Sequence, residues 1–138
     1  TLCSPATRHP GPRAAHGGLW IAMTLPTDPQ ARKQIPIVTG VLDYFPDAIA
    51  AVAAVSKAGN DQHNPGQPLH WAREKSQDHA DCIGRHLSER GTTDTDGMRH
   101  SAKLAWRALA LLQTEIEADR LGMTVEQYNQ SLRDRAQA

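Results

Sequence analysis

Two sets of side chains in this sequence have the types and spacing that metal and phosphate chemistry requires. Glu74, Asp78 and Asp81 stand at i, i+4 and i+7, which on a helix puts three carboxylates on one face. Asp96, His100 and Lys103 repeat that spacing further along. If a short loop joins two such helices, they pack antiparallel and bring the stripes together. Carboxylates from neighbouring helices suit Mg²⁺ or Mn²⁺, because hard divalent ions prefer oxygen ligands and keep waters that bridge to phosphate. The same spacing is common on solvated helix faces. There Glu74 simply sits in water beside Arg73 and Lys75, and Asp94 and Asp96 act as helix caps. On spacing alone that plainer reading is the stronger.

A third set lies between residues 60 and 71, where Asn60, Gln62, His63, Asn64, Gln67, His70 and Trp71 gather in a polar stretch. Base recognition needs a flat apolar surface and amides that read ring edges, and these residues supply both. The alternative is an ordinary connection in which Trp71 anchors the loop to the core.

The elements that must position these groups read as helices. A first helix is expected from Pro46 to Ala58, with Pro46 in its first turn and Gly59 at its stop. Ile49, Val52, Ala53 and Val55 form its apolar face. A second is expected from near Pro68 to just before Gly91, with a break around Lys75–Ser76. The strongest period runs from Gly97 to Arg120 through Leu104, Ala108, Leu111, Leu112 and Ile116, and Gly122 follows as a C-cap. Thr124 to Gln127 fits a capping box that opens a short last helix carrying Val125, Tyr128 and Leu132. Ile35–Gly40, broken by Pro36 and Gly40, reads as an extended arm. The expectation is an all-α antiparallel array of about four helices over residues 33–138, preceded by a disordered or extended segment over residues 1–32. Within it, residues 1–22 read as an extension upstream of Met23, outside the functional domain.

Bulk properties narrow the function. The 138 residues are 39% hydrophobic and only 4% aromatic, so the core must rest on Ala, Leu, Ile and Val, and oligomerisation is a common way to complete such a core. Fifteen basic residues against fifteen acidic ones, with no basic run, argue against nucleic acid as a partner. Cys3 and Cys82 are far apart and make no disulfide framework, which fits a reducing compartment. No apolar stretch approaches the roughly 20 residues that span a bilayer. A cytoplasmic protein without membrane contact is expected.

The run Leu42–Ala48, the stretch Gly59–Trp71, Asp78-His-Ala-Asp81, Arg85-His-Leu87 and Asp94–Leu109 resemble a family of small phage proteins. That family is the dATP/dGTP diphosphohydrolase N-terminal domain group, which is similar to the MazG-like all-α nucleotide pyrophosphohydrolases. The resemblance covers about residues 33–118. It implies hydrolysis of a (deoxy)nucleoside triphosphate, a purine dNTP such as dGTP or dATP, to the monophosphate and pyrophosphate. MazG-like enzymes hold Mg²⁺ on an E-x-x-E motif and an E-x-x-D motif. Asp78–Asp81 occupies the place of the first motif with shortened carboxylates. His100–Lys103 occupies the place of the second, where Lys103, a cation, contacts phosphate rather than metal. The resemblance therefore implies metal ligation by Glu74, Asp78, Asp81 and Asp96, with His100 completing the set or orienting water. Arg85 and Lys103 would stabilise charge on the triphosphate. Asn60, His63, Asn64, His70 and Trp71 would contact base or sugar. It also implies a homodimer or homotetramer, and Leu104–Leu112 is apolar around much of its helix.

Three other readings compete. A histidine–aspartate phosphohydrolase needs a His-Asp dipeptide, and the chain has none. A non-catalytic helical module that binds nucleotide or protein gains weight from Lys103 and the short carboxylates. A purely structural oligomer would leave the polar stripes facing solvent.

Overall fold

The computed structural model describes residues 23–138, and the expected extension over residues 1–22, with Cys3, lies outside them. The described residues are all-α, with five helices and no strand. They fall into two compact units that part between Pro36 and Ile37. The first unit holds α1 (Pro29–Lys33), so the expected unstructured stretch up to residue 32 is corrected. Asp28 starts this helix by accepting from the Ala31 N–H at 2.8 Å, and Pro29 follows with a φ already suited to a first turn.

The second unit opens with a π-helical turn, Val38–Leu42, where an extended arm was expected. The Asp43 N–H reaches back to the Val38 carbonyl at 2.8 Å, which satisfies the backbone despite Gly40. Then come α2 (Pro46–His63), α3 (His79–Ser88), α4 (His100–Arg120) and α5 (Val125–Gln137). Helix α4 packs against α2, α3 and α5 and is the hub of the unit.

Helix α2 does not stop at Gly59. A glycine costs a helix only about 1 kcal/mol, and the residues after it supply reasons to continue. The Lys57 ammonium pairs with Asp61 one turn on, at 2.6 Å. Asn60 turns inward, donates to the Gln67 carbonyl at 3.1 Å and accepts from the His70 N–H at 3.2 Å. Asn60 to His63 are therefore helical, and Asn60 braces the loop that follows.

Helix α3 is much shorter than expected. Pro65, Pro68 and Ser76, whose φ of 48° is left-handed, keep residues 64–78 irregular. The break foreseen at Lys75–Ser76 is in fact the end of a loop, and Asp78 is the N-cap residue. The expected stripe of Glu74, Asp78 and Asp81 on one helix face is corrected for that reason, since only Asp81 lies within α3. Likewise α4 starts at His100, and Asp96 sits in the turn before it.

The end of α4 and the start of α5 follow the sequence closely. Gly122 (φ 64°) closes α4, with Met123 N–H on the Ala118 carbonyl and Gly122 N–H on that of Asp119, both at 3.0 Å. The Thr124–Gln127 capping box is complete in both directions.

The core is lean and largely polar. Cys82, Ala110, Ala118 and Tyr128 are its fully buried apolar residues, against Asn60, His79, His100, Thr114 and Glu117. Among the described residues no buried side-chain nitrogen or oxygen lacks a partner. Glu117, 1% exposed, accepts from Arg73 Nε at 3.1 Å and Nη2 at 2.9 Å, from Tyr128 at 2.7 Å and from Gln113 at 3.0 Å. Burial pushes this carboxyl's pKa up, but Arg73, Tyr128 and Gln113 more than reverse that and leave it below the ordinary glutamate value. Burial and then Glu117 push the Tyr128 hydroxyl up to about 12. By contrast Leu109 and Leu112 are each 53% exposed and Ile116 39%, leaving an apolar stripe of α4 open. Among the described residues no single helix is long and apolar enough to cross a membrane.

Removing one partner of a buried ion pair typically costs about 3–5 kcal/mol. Glu117→Ala is predicted to lower the unfolding free energy by about 3 kcal/mol, and Thr124→Ala by about 1 kcal/mol, both read by urea denaturation at pH 7. A Glu117→Ala chain as stable as wild type would show that the cluster does not hold the fold together.

Candidate functional site

A cavity of about 920 Å³ opens between α2, α4 and the 64–78 loop. Its aromatic wall is a pair of tryptophans. Trp71 and Trp106 meet edge to face, with centroids 5.8 Å apart and planes at 76°. Trp106 is fixed by its indole N–H on Ser56 Oγ of α2 at 2.5 Å. Trp71 is fixed on its other side by the Arg73 guanidinium, 4.1 Å from a ring centroid, and by the His79 ring. Arg73 is itself held by Glu117, so the loop's aromatic face is anchored from the core.

Beside it the lining is charged: Lys103 and Arg107 flank Trp106 on α4, with the Arg107 guanidinium 5.8 Å from the Trp106 ring centroid. A tight turn over residues 92–99 carries Asp94 and Asp96, with Asp94 N–H on the Met98 carbonyl at 2.7 Å and His100 N–H on that of Thr92 at 3.1 Å. The turn delivers both carboxylates to Lys103, at 2.7 Å and 2.8 Å. Hydrogen bonding from Lys103, then from the Thr95 N–H, pulls Asp94 down to about 2, and Lys103 and Met98 lower Asp96. Burial lowers the Lys103 pKa, but the two aspartates together raise it above the ordinary lysine value, so this cation stays charged. Arg107, one turn on, donates to the Ser76 carbonyl at 2.8 Å and to His79 Nδ1 at 3.2 Å. His79 is pushed below the usual histidine value by burial and then by Arg107, and His86 by burial and then by His100 and Lys103. Both are neutral imidazoles at pH 7.

All five residues singled out in the sequence for base or sugar contacts (Asn60, His63, Asn64, His70 and Trp71) border this cavity, as do Lys103 and Asp96. Glu74, Asp78, Asp81, Arg85 and His100 do not. Arg85 is turned to Asp78 at 3.2 Å and to Cys82 Sγ at 3.0 Å. Hydrogen bonding from Arg85 lowers the Asp78 pKa, and Asp78 raises that of Arg85. His100 faces His86, with their Nδ1 atoms 3.0 Å apart.

Among the described residues no three of the expected Mg²⁺ ligands have their ligand atoms within 4.8 Å of one another. Asp78 is taken by Arg85, with Arg107 at 3.9 Å, and Asp96 by Lys103, so cations of the protein stand where a metal would. Among the described residues the one group of three candidate ligands with atoms mutually within 4.8 Å is His86, Glu89 and His100. Ser56, Arg73, His79, His86, Trp106 and Arg107 were not anticipated. The signal for Trp106 was present: it is one of three tryptophans in the chain and sits one helical turn beyond Lys103.

Comparison with known families decides the affiliation. The family described as dATP/dGTP diphosphohydrolase, N-terminal, matches residues 28–123, most of the chain. The chain belongs to that family. Searches of curated proteins and of solved structures found no match. The matched span takes in the whole wall of the cavity, from α2 through the 64–78 loop to Ile116 of α4. The family's name implies a diphosphohydrolase, and the domain here sets aromatic and cationic groups around one opening.

Because the folded Asp94 pKa lies below its unfolded value, the Lys103 pairing stabilises the fold fully above about pH 4. That contribution is lost as pH falls toward about 2. Carboxyl NMR at about pH 3 should find Asp94 still ionised in wild type and largely protonated in Lys103→Met. An Asp94 already protonated at that pH in wild type would rule the clamp out.

Proposed function

We propose that the cavity binds a purine deoxynucleoside triphosphate and that the domain hydrolyses it to the monophosphate and pyrophosphate. The observation that carries this reading is that a tryptophan pair and the cations Lys103 and Arg107 line one cavity of about 920 Å³. That volume is at the upper end of small-ligand sites, roughly 300–1,000 Å³. The base stacks against Trp71, with the amide of Asn64 and the rings of His63 and His70 nearby, while Asn60 braces the 64–78 loop. The phosphates lie toward Arg107, which neutralises charge as the transition state forms, and toward Lys103, which donates to them while shared with Asp94 and Asp96. A water oxygen bonds to the α-phosphorus, the bond to the bridging oxygen breaks, and pyrophosphate leaves with the electron pair. Asp96, ionised at the cavity edge, can accept a hydrogen bond from that water, whose proton passes to solvent. No step is assigned to a carboxylate-held metal, because the four expected ligands do not converge.

A second reading, a nucleotide-binding module without turnover, is favoured by the same neutralised carboxylates. The exposed Leu109, Leu112 and Ile116 line the same cavity and offer it an apolar surface under either reading.

Chromatographic assay of monophosphate and pyrophosphate from the four dNTPs, with and without Mg²⁺ or Mn²⁺, separates the two. Trp71→Ala is expected to raise KM about tenfold, in line with roughly 1–3 kcal/mol for base stacking. Lys103→Met is expected to lower kcat/KM about 100-fold. Nucleotide binding without release of either product would leave the module reading standing and sink the enzyme.

A further inference from the structure

The end of α3 and the start of α4 are folded against each other by the turn over residues 92–99, and three side chains with lone pairs meet there. His86 is in the last turn of α3, Glu89 is its C-cap residue, and His100 is the first residue of α4. The two imidazole Nδ1 atoms are 3.0 Å apart, and Glu89 Oε2 lies 3.6 Å from His100 Nδ1. We propose that His86, Glu89 and His100 bind one divalent transition cation of the zinc class, leaving a further coordination position open to an exchangeable ligand.

Metal–nitrogen bonds of about 2.0–2.1 Å put two ligating nitrogens roughly 3 Å apart at right angles and roughly 3.4 Å apart in a tetrahedron. The observed Nδ1 separation falls in that range, and a 3.6 Å nitrogen–oxygen distance fits a wider angle at the same centre. Glu89 is exposed, so a rotamer change closes any remaining gap. A plain N–H···N hydrogen bond between the two rings would account for His86 and His100 but would leave Glu89 without a part. Two imidazoles and one carboxylate select zinc, cobalt or nickel over Mg²⁺, which prefers oxygen and water. Three protein ligands are also the number found where a metal keeps an exchangeable position.

Position gives the site a use. His86 borders the cavity beside Lys103. Lys103 is already balanced by Asp94 and Asp96, so a dication on Glu89 would add net positive charge at the phosphate end. That use rests on the nucleotide reading, whereas the binding itself does not.

The full chain, stripped with EDTA and dialysed, is titrated with Co²⁺ and followed by visible absorption, whose intensity separates a four- or five-coordinate protein site from the octahedral aquo ion. One equivalent with ligand-field bands, displaced by Zn²⁺ and indifferent to excess Mg²⁺, is expected. His86→Ala and Glu89→Gln should each weaken binding at least tenfold, while His63→Ala leaves it unchanged. Buried His100 is left intact so that folding, checked by circular dichroism, is preserved. Absence of the bands, or a Co²⁺ affinity unaltered by His86→Ala, would overturn the site. Because the readout is a spectrum, its failure is separate from any failure to hydrolyse nucleotides.

Discussion

A single buried carboxylate organises this domain. Glu117 has no exposed side-chain surface, and an ionised group there is tolerable only if its lone pairs are filled. Arg73 fills them from the 64–78 loop, Tyr128 from α5, and Gln113 from one turn back on α4. Three segments with little apolar contact of their own are thereby held in one register. A hydrophobic residue at this position could be as stable, but it would not dictate which loop residue must approach or at what angle. The fork of Arg73 does, and its outer face carries Trp71. The aromatic wall of the cavity is therefore oriented by a charge on the far side of the loop.

Charge pairing recurs through the rest of the unit. Lys103 sits between Asp94 and Asp96, Arg85 faces Asp78, and Arg107 joins Ser76 to His79. Each of these contacts fixes an irregular segment to a helix, and neutral bonds such as those of Asn60 and Gln77 add to them in the 64–78 loop.

Local signals in the sequence were the readable ones. The capping box at Thr124, the Gly122 terminus and the apolar period of α4 depend on neighbours within a few residues, and each is where the pattern puts it. The limits of α2 and α3 depend on partners further away. Asn60 holds Gln67 and His70, and Ser76 is turned by Arg107, thirty-one residues on. The stripe of Glu74, Asp78 and Asp81 failed because it assumed a helix across that turn. Glu117 was illegible for another reason: Glu115, Glu117 and Asp119 alternate along one exposed-looking stretch, and only Arg73, forty-four residues away, distinguishes the middle one. Asn60, Gln62, His63, Asn64, His70 and Trp71 border one cavity and Gln67 does not; the bonds of Asn60 to Gln67 and His70 hold that stretch to the end of α2.

The lean core has a thermal consequence. The heat-capacity change on unfolding grows with newly exposed apolar area and shrinks with newly exposed polar area. Among the described residues the buried set holds four apolar residues and five polar ones, while Leu109, Leu112 and Ile116 already meet water in the folded chain. Both factors make the change small for a chain of this size. The stability curve is correspondingly flat: cooling weakens the fold little, and the loss on warming is gradual.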